Sequence, residues 1–248
     1  MADFSLIKDG LALLKSYAEF MLVAELATLL LLLISLPVLF AESIFTFWGK
    51  GFPREIRGPL LPSGGFLLLL IVIVLLILGL AVLVFIAVYF KLVPAAERLS
   101  RFNQAFTTSS KFVKYGYWGG LALGLLGLAV FALIFFPMIF SNSAMFSLER
   151  VIAGVLALDL FLAFAALLGF IGWVGELMLL YELGRATGIE EFKSVVVLFV
   201  AAAALGLLVL VGNPWVFMSF VLVSTILSIM GFYVLRSASI KALQQRVA

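Results

Sequence analysis

The sequence predicts an all-α polytopic membrane protein, a bundle of about six spanning helices with both ends on the cytoplasmic side. Three observations carry that expectation. The 248 residues are 65% hydrophobic and 12% charged, where soluble domains hold roughly 45–50% apolar and about 25% charged residues. The charges gather in short clusters between apolar runs long enough for a hydrocarbon layer of ~30 Å, which takes about 20 helical residues. The 16 Lys and Arg are also unevenly shared between alternate loops, as insertion into a membrane requires.

The runs are Ala18 to Ala41, Phe66 to Phe90, Tyr115 to Phe140, Val151 to Tyr181, Ser194 to Gly212 and Val216 to Leu235, and the second and third carry no charge. If the N-terminus is inside, the inner segments hold 12 of the basic residues and the outer ones 4. Cytoplasmic loops retain Lys and Arg, so the three-to-one bias predicts N-in and C-in. With no internal repeat in view, one membrane domain over 1–248 is the simplest organisation.

Ahead of the first span, Lys8 and Lys15 precede an apolar stretch as they would in a secretory signal. The charged region is too long for one, and no pair of small residues marks a cleavage site. Phe4 to Tyr17 therefore predicts a short amphipathic helix at the interface that feeds the first span. The outer loop Glu42 to Gly65 holds Phe45, Phe47, Trp48 and Phe52, then Pro53, Pro59 and Pro62. It reads as an irregular, aromatic-anchored segment at the headgroups.

The inner loop after the second span opens with Lys91 and Pro94. Ala95 to Phe106 follows, with Leu99, Phe102 and Phe106 on one helical face and Arg98, Arg101 and Gln104 elsewhere, which predicts a surface-lying helix. The hydroxyls of Thr107 to Ser110 suit the cap of the next helix. Gly212, Asn213 and Pro214 predict a tight turn that makes a hairpin of the last two spans.

Small residues mark where helices pack. Gly116, Gly120, Gly124 and Gly127 lie within about 80° of one another at 100° per residue. Lipid gives helix association little hydrophobic gain, so close backbone approach through Gly supplies the packing. A contact within the bundle is the reading preferred to a ligand groove. Ser224, Ser228 and Gly231 form a similar narrow face on the sixth span, with hydroxyls able to bond across helices or to preceding carbonyls.

An acid inside a span carries a functional hypothesis first, because Asp at a helix centre costs ~2.5–3.5 kcal/mol on insertion scales. Glu25, Asp159 and Glu176 are the candidates for an ion or proton site. Asp159 and Glu176 stand about 25 Å apart on one helix, so they do not share the midplane. Glu25 precedes an uncharged run of about 24 Å from Leu26 to Ala41, which places it near the inner boundary. Asp159 lies deepest, either as a structural acid, protonated or bonded to a hydroxyl, or as a cation or proton site. Gly169, Gly172 and Gly175 ahead of Glu176 could bend or fray the helix and admit water.

The chain has no cysteine and no histidine. Disulfides, thiolate metal sites, iron–sulfur clusters, histidine-ligated haem and imidazole-dependent dyads or triads are thereby excluded. No run reads G-x-x-x-x-G-K-S/T, so the chain has no P-loop of its own. The acids sit at different depths and no two have spacing suited to one metal ion. No catalytic residue, metal site or cofactor is expected, and a basic balance in such a chain implies no nucleic acid.

Tyr181 to Phe192 reads Y-E-L-G-R-A-T-G-I-E-E-F, and after an apolar span and a Gly-containing turn the closing span holds G-F-Y-V-L. Through Gly184, Thr187, Gly188, Phe192, Gly231 and Phe232 this last quarter resembles small multi-pass proteins of an archaeal domain-of-unknown-function family. Such a resemblance implies lineage and fold class only. Physically, Gly184 and Gly188 suit a helix C-cap and turn, and Glu190 with Glu191 suit the start of the next helix. The architecture also resembles the exporter-type permease of ATP-binding cassette systems, in which the segment corresponding to Ala95–Phe106 docks on a partner ATPase.

These readings together predict a non-catalytic, multi-pass subunit or scaffold of the cell membrane, surrounded by lipid and assembled with other membrane proteins. A permease subunit of an exporter, or another small-molecule transporter, is the alternative.

Overall fold

The computed structural model describes residues 4–48, 64–140, 148–208 and 214–245, and side chains within 5–34, 71–136, 151–208 and 219–245. Every described residue is helical except Asn103 and the turn 188–190. The helices are α1 (Phe4–Trp48), α2 (Gly64–Ile86), α3 (Val93–Phe102), α4 (Thr107–Phe140), α5 (Leu148–Thr187), α6 (Glu191–Leu208) and α7 (Pro214–Gln245). Six of them are long and apolar enough to cross a membrane. The all-α spanning class is thus the observed one.

The chain forms two compact units. One comprises 1–13 and 92–189, the other 14–91 and 190–248.

In the first unit α4 and α5 form a long antiparallel pair. Gly116 lies against Gly172, Gly120 against Ala165, Gly127 against Phe161, and Gly154 against Ile134 and Phe135. Around the charged end of this pair α3 and the first residues of α1 close a small core of Ile7, Leu11, Leu92, Leu99, Phe106, Val113, Leu179, Leu180 and Leu183. The long middle of the pair is inverted relative to a soluble protein. Leu125, Leu126, Leu128, Leu156 and Leu160 are exposed, and Leu133 is 75% exposed. Water would penalise such a surface, whereas hydrocarbon is as apolar as the side chains themselves.

In the second unit Phe192, Val195, Phe199 and Ala202 of α6 and Phe232, Leu235, Ala238 and Ala242 of α7 are buried. From Leu14 onward α1 adds Leu14, Tyr17 and Ala18. Tyr17 meets Phe232 edge-on at 5.8 Å, and Phe199 lies 4.7 Å from the same ring. By contrast α2 is exposed on nearly all sides from Ile71 to Phe85.

Several local expectations change. The short helix Phe4–Tyr17 is no separate element, because α1 runs unbroken from Phe4 to Trp48. Its first residues pack on α3 instead: Leu99 reaches the space where Gly10 would carry a Cβ, and Arg98 bonds to Asp9 at 2.9 Å. Phe45, Phe47 and Trp48, read as loop, belong to the end of α1. The remainder of that loop, with Phe52, Pro53, Pro59 and Pro62, and the turn residues Gly212 and Asn213 lie outside the described residues.

The inner loop expected to open at Lys91 is helical there. The helix continues through a π-helical turn, Ala87–Leu92, into α3. Pro94 cannot donate to the carbonyl four residues back and its ring crowds that carbonyl, so the wider turn just ahead of it relieves the ladder. The following helix stops at Phe102, short of Phe106, because Asn103 is extended (φ −143°, ψ 130°). The Asn103 side chain accepts from the Ala105 N–H at 3.0 Å, so Asn103 supplies the turn chemistry assigned to Thr107–Ser110. Leu99 and Phe106 are both fully buried, and α3 buries Val93, Ala95 and Ala96 against the protein as well.

The turn between α5 and α6 follows its residues. Gly188, at φ 73°, has its N–H bonded to the Gly184 carbonyl at 3.0 Å, a left-handed close that glycine permits without a Cβ clash. Gly184 itself is a buried residue inside α5. The Glu190 carbonyl accepts from the N–H groups of Lys193 and Ser194, which starts α6 with Glu191 in its first turn.

Candidate functional site

The polar chemistry of the first unit sits where the glycine seam meets the charged end. Gly116, Gly172 and Gly175 remove side chains from the crossing: a Cβ on Gly116 would lie 2.2 Å from the Gly172 nitrogen, and one on Gly175 would lie 2.6 Å from the Val113 nitrogen. That closeness brings Tyr117 over α5, where its hydroxyl donates to Glu176 Oε2 at 3.1 Å. Glu176 is only 2% exposed. Two turns further along α5, Glu182 Oε2 accepts from the buried Ser109 hydroxyl at 2.6 Å. Lys114 pairs with Glu97 at 2.7 Å and Arg98 with Asp9, closing the same end with exposed ion pairs. Among the described residues every buried side-chain nitrogen or oxygen has a hydrogen-bond partner.

Each residue singled out from the sequence now has a place. Gly116, Gly120 and Gly127 face α5 at backbone or Cβ distance, while Gly124 is looser, its nearest neighbour being the Ala165 Cβ at 4.0 Å. Glu176 follows Gly175, which meets Phe112 and Val113, so it belongs to the charged end. Asp159 is exposed, about 25 Å from Glu176 along α5. Glu25 is half-buried in the other unit, about 9 Å along α1 from Glu19. Asp159 and Glu176 therefore stay apart on α5, and Glu25 belongs to the other unit. Among the described residues no three acids come close enough to hold a metal ion.

In the second unit the Ser224 hydroxyl donates across to the Ala202 carbonyl of α6 at 2.8 Å. Thr225 bonds to its own helix at Val221. Ser228 is half-buried, and Gly231 accommodates the Phe199 ring, which would stand 2.5 Å from an added Cβ. Glu19 holds Arg236 at 2.9 Å and Lys15 at 3.8 Å, while Lys241 pairs with Glu191.

Sequence reasoning missed Tyr117, Ser109 and Glu182. The hairpin register alone does not find them: with Gly116 set against Gly172, antiparallel counting puts Tyr117 level with Ile171 and Ser109 level with Leu179, and the side chains reach a further five and three residues along α5 to Glu176 and Glu182. What this arrangement does chemically is tie α4 to α5, because the Tyr117 and Ser109 hydroxyls donate to the Glu176 and Glu182 carboxyls.

Six helices suited to crossing a membrane define a multi-pass helical membrane protein, in which Tyr117, Ser109 and Ser224 bond across helix contacts. No family model, no curated protein and no solved structure matches the chain.

Proposed function

We propose that this protein is a non-catalytic integral subunit or scaffold of the cell membrane that assembles with partner membrane proteins. The observation that supports it is the contrast between α4–α5 and α2. The first pair sets Gly116, Gly120, Gly127 and Gly154 in a closed seam, while α2 turns Ile71, Val72, Val74, Leu76 and Ile77 outward around its circumference. Such a helix offers shape to lipid or to a neighbouring span, and no polar path for a hydrophilic substrate. The charge bias supports both ends being cytoplasmic, with the basic segment Lys91 to Lys114 on that side.

Purification from the native membrane in mild detergent tests the reading. The expected result is co-migration with other integral membrane proteins in fixed proportion. Recovery with a P-loop ATPase would instead favour the permease to which the six-span architecture is similar. A lone chain with catalytic activity of its own would defeat both.

A further inference from the structure

Asp159 lies in the most apolar part of the first unit and points away from it. The register of Gly127 on Phe161 and Gly154 on Phe135 sets Asp159 level with about Ala129 of α4. Ala129 lies some 22 Å from Lys114 and about 16 Å from Phe140 along a helix with no charge between them, so both directions from Asp159 lead through hydrocarbon. Around α5 it stands about 120–160° from Gly154, Phe161, Ala165 and Gly172, which face α4. Its own stripe is Ile152, Leu156, Ala163, Ala166 and Phe170, all exposed. Among the described residues no group bonds to its carboxyl.

We infer that this stripe is the contact between two copies of the chain, closed by Asp159 against Asp159. Lipid offers the carboxyl no hydrogen-bond partner, and no Lys or Arg stands within any apolar span of this chain to pair with it. Every copy inserts with the same orientation, so a second copy brings its Asp159 to the same depth. Two carboxyl groups complement one another there, because the O–H of an acid donates and the other group's oxygen accepts. Ala163 and Ala166, one and two turns along, let the two α5 backbones come close. A two-fold axis along the membrane normal makes such a contact self-complementary and closed.

The chain has no cysteine, so Ala163→Cys in the otherwise native full-length protein reports the contact directly. Mild oxidation of membranes should give a covalent dimer from Ala163→Cys and much less from Leu133→Cys, an exposed position on α4. Adding Asp159→Ala should weaken dimerisation on the order of tenfold, the scale of an interhelical hydrogen-bond pair in a membrane. Asp159→Asn should keep the dimer, because an amide also donates and accepts. Equal cross-linking at both cysteines, or an undiminished Asp159→Ala dimer, would overturn the contact. Loss of the Asp159→Asn dimer to the same extent as Asp159→Ala would overturn it too, and would point to a cationic partner helix that needs the charge. The Ala163→Cys readout keeps Asp159 intact, so it decides the matter even where a substitution at 159 impairs folding.

Discussion

Gly116→Ala adds one methyl group at the tightest point of the α4–α5 seam. The new Cβ would lie 2.2 Å from the Gly172 nitrogen, 2.5 Å from its Cα and 2.8 Å from the Leu168 carbonyl oxygen, all backbone atoms. The first of these falls about 1.2 Å short of the 3.4 Å at which ordinary contact begins. No rotamer change relieves backbone against backbone, so the helices must part. Opening a packed seam by 0.5–1 Å forfeits roughly a quarter to a half of each affected contact, and overpacking of this kind costs about 1–3 kcal/mol. Against that, Ala exceeds Gly in helix propensity by about 1 kcal/mol. The structure contains its own control in Gly79, on the bare α2, where an added Cβ meets nothing within 4 Å. Gly79→Ala should therefore be neutral or slightly stabilising, and Gly116→Ala destabilising, in matched thermal or denaturant unfolding in detergent. A Gly116→Ala protein as stable as Gly79→Ala would refute the packing argument, because it would mean the two glycines share one environment.

Tyr117→Phe removes one hydrogen bond to the nearly buried Glu176 and should cost about 0.5–1.5 kcal/mol, the net worth of a typical intramolecular hydrogen bond; unfolding of Tyr117→Phe and Glu176→Gln side by side tests whether the hydroxyl serves the carboxyl. Ser224→Ala should lose only about 0.6 kcal/mol, the average for an interhelical hydrogen bond in a membrane. Gly231→Val should lose several times more by displacing the Phe199 ring, so equal effects of the two would argue against that seat. A cysteine at Ser100 should resist impermeant reagents in intact cells, while one at Ser63, in the sequence outside the described residues, should react. The reverse labelling would overturn the cytoplasmic assignment of the ends.

Much of the candidate site was visible as separate halves. The Gly116–Gly127 spacing identified a packing face without saying what met it, and the depth argument separated Glu176 from Asp159 without saying which was covered. Their partners required the hairpin register. Asn103 was overlooked because a single capping residue interrupts an otherwise helical pattern, and hydroxyls at Thr107 to Ser110 offered a more familiar cap. The unbroken α1 was hidden because amphipathic residues ahead of a span look alike whether they meet headgroups or, as Gly10 does, the Leu99 of another helix.

The amino-acid sequence by itself determined that the chain is helical and built for a membrane, since apolar length and charge placement are properties of the chain alone. Tertiary structure decided which polar groups meet. It set Tyr117 on Glu176, Ser109 on Glu182 and Ser224 on Ala202, and it turned Asp159 outward. The physical reason is that hydrocarbon constrains the composition of every span in the same way, whereas a contact between two helices depends on their register and rotation. Those are fixed only when close-packed backbones such as Gly116 and Gly172 lock together.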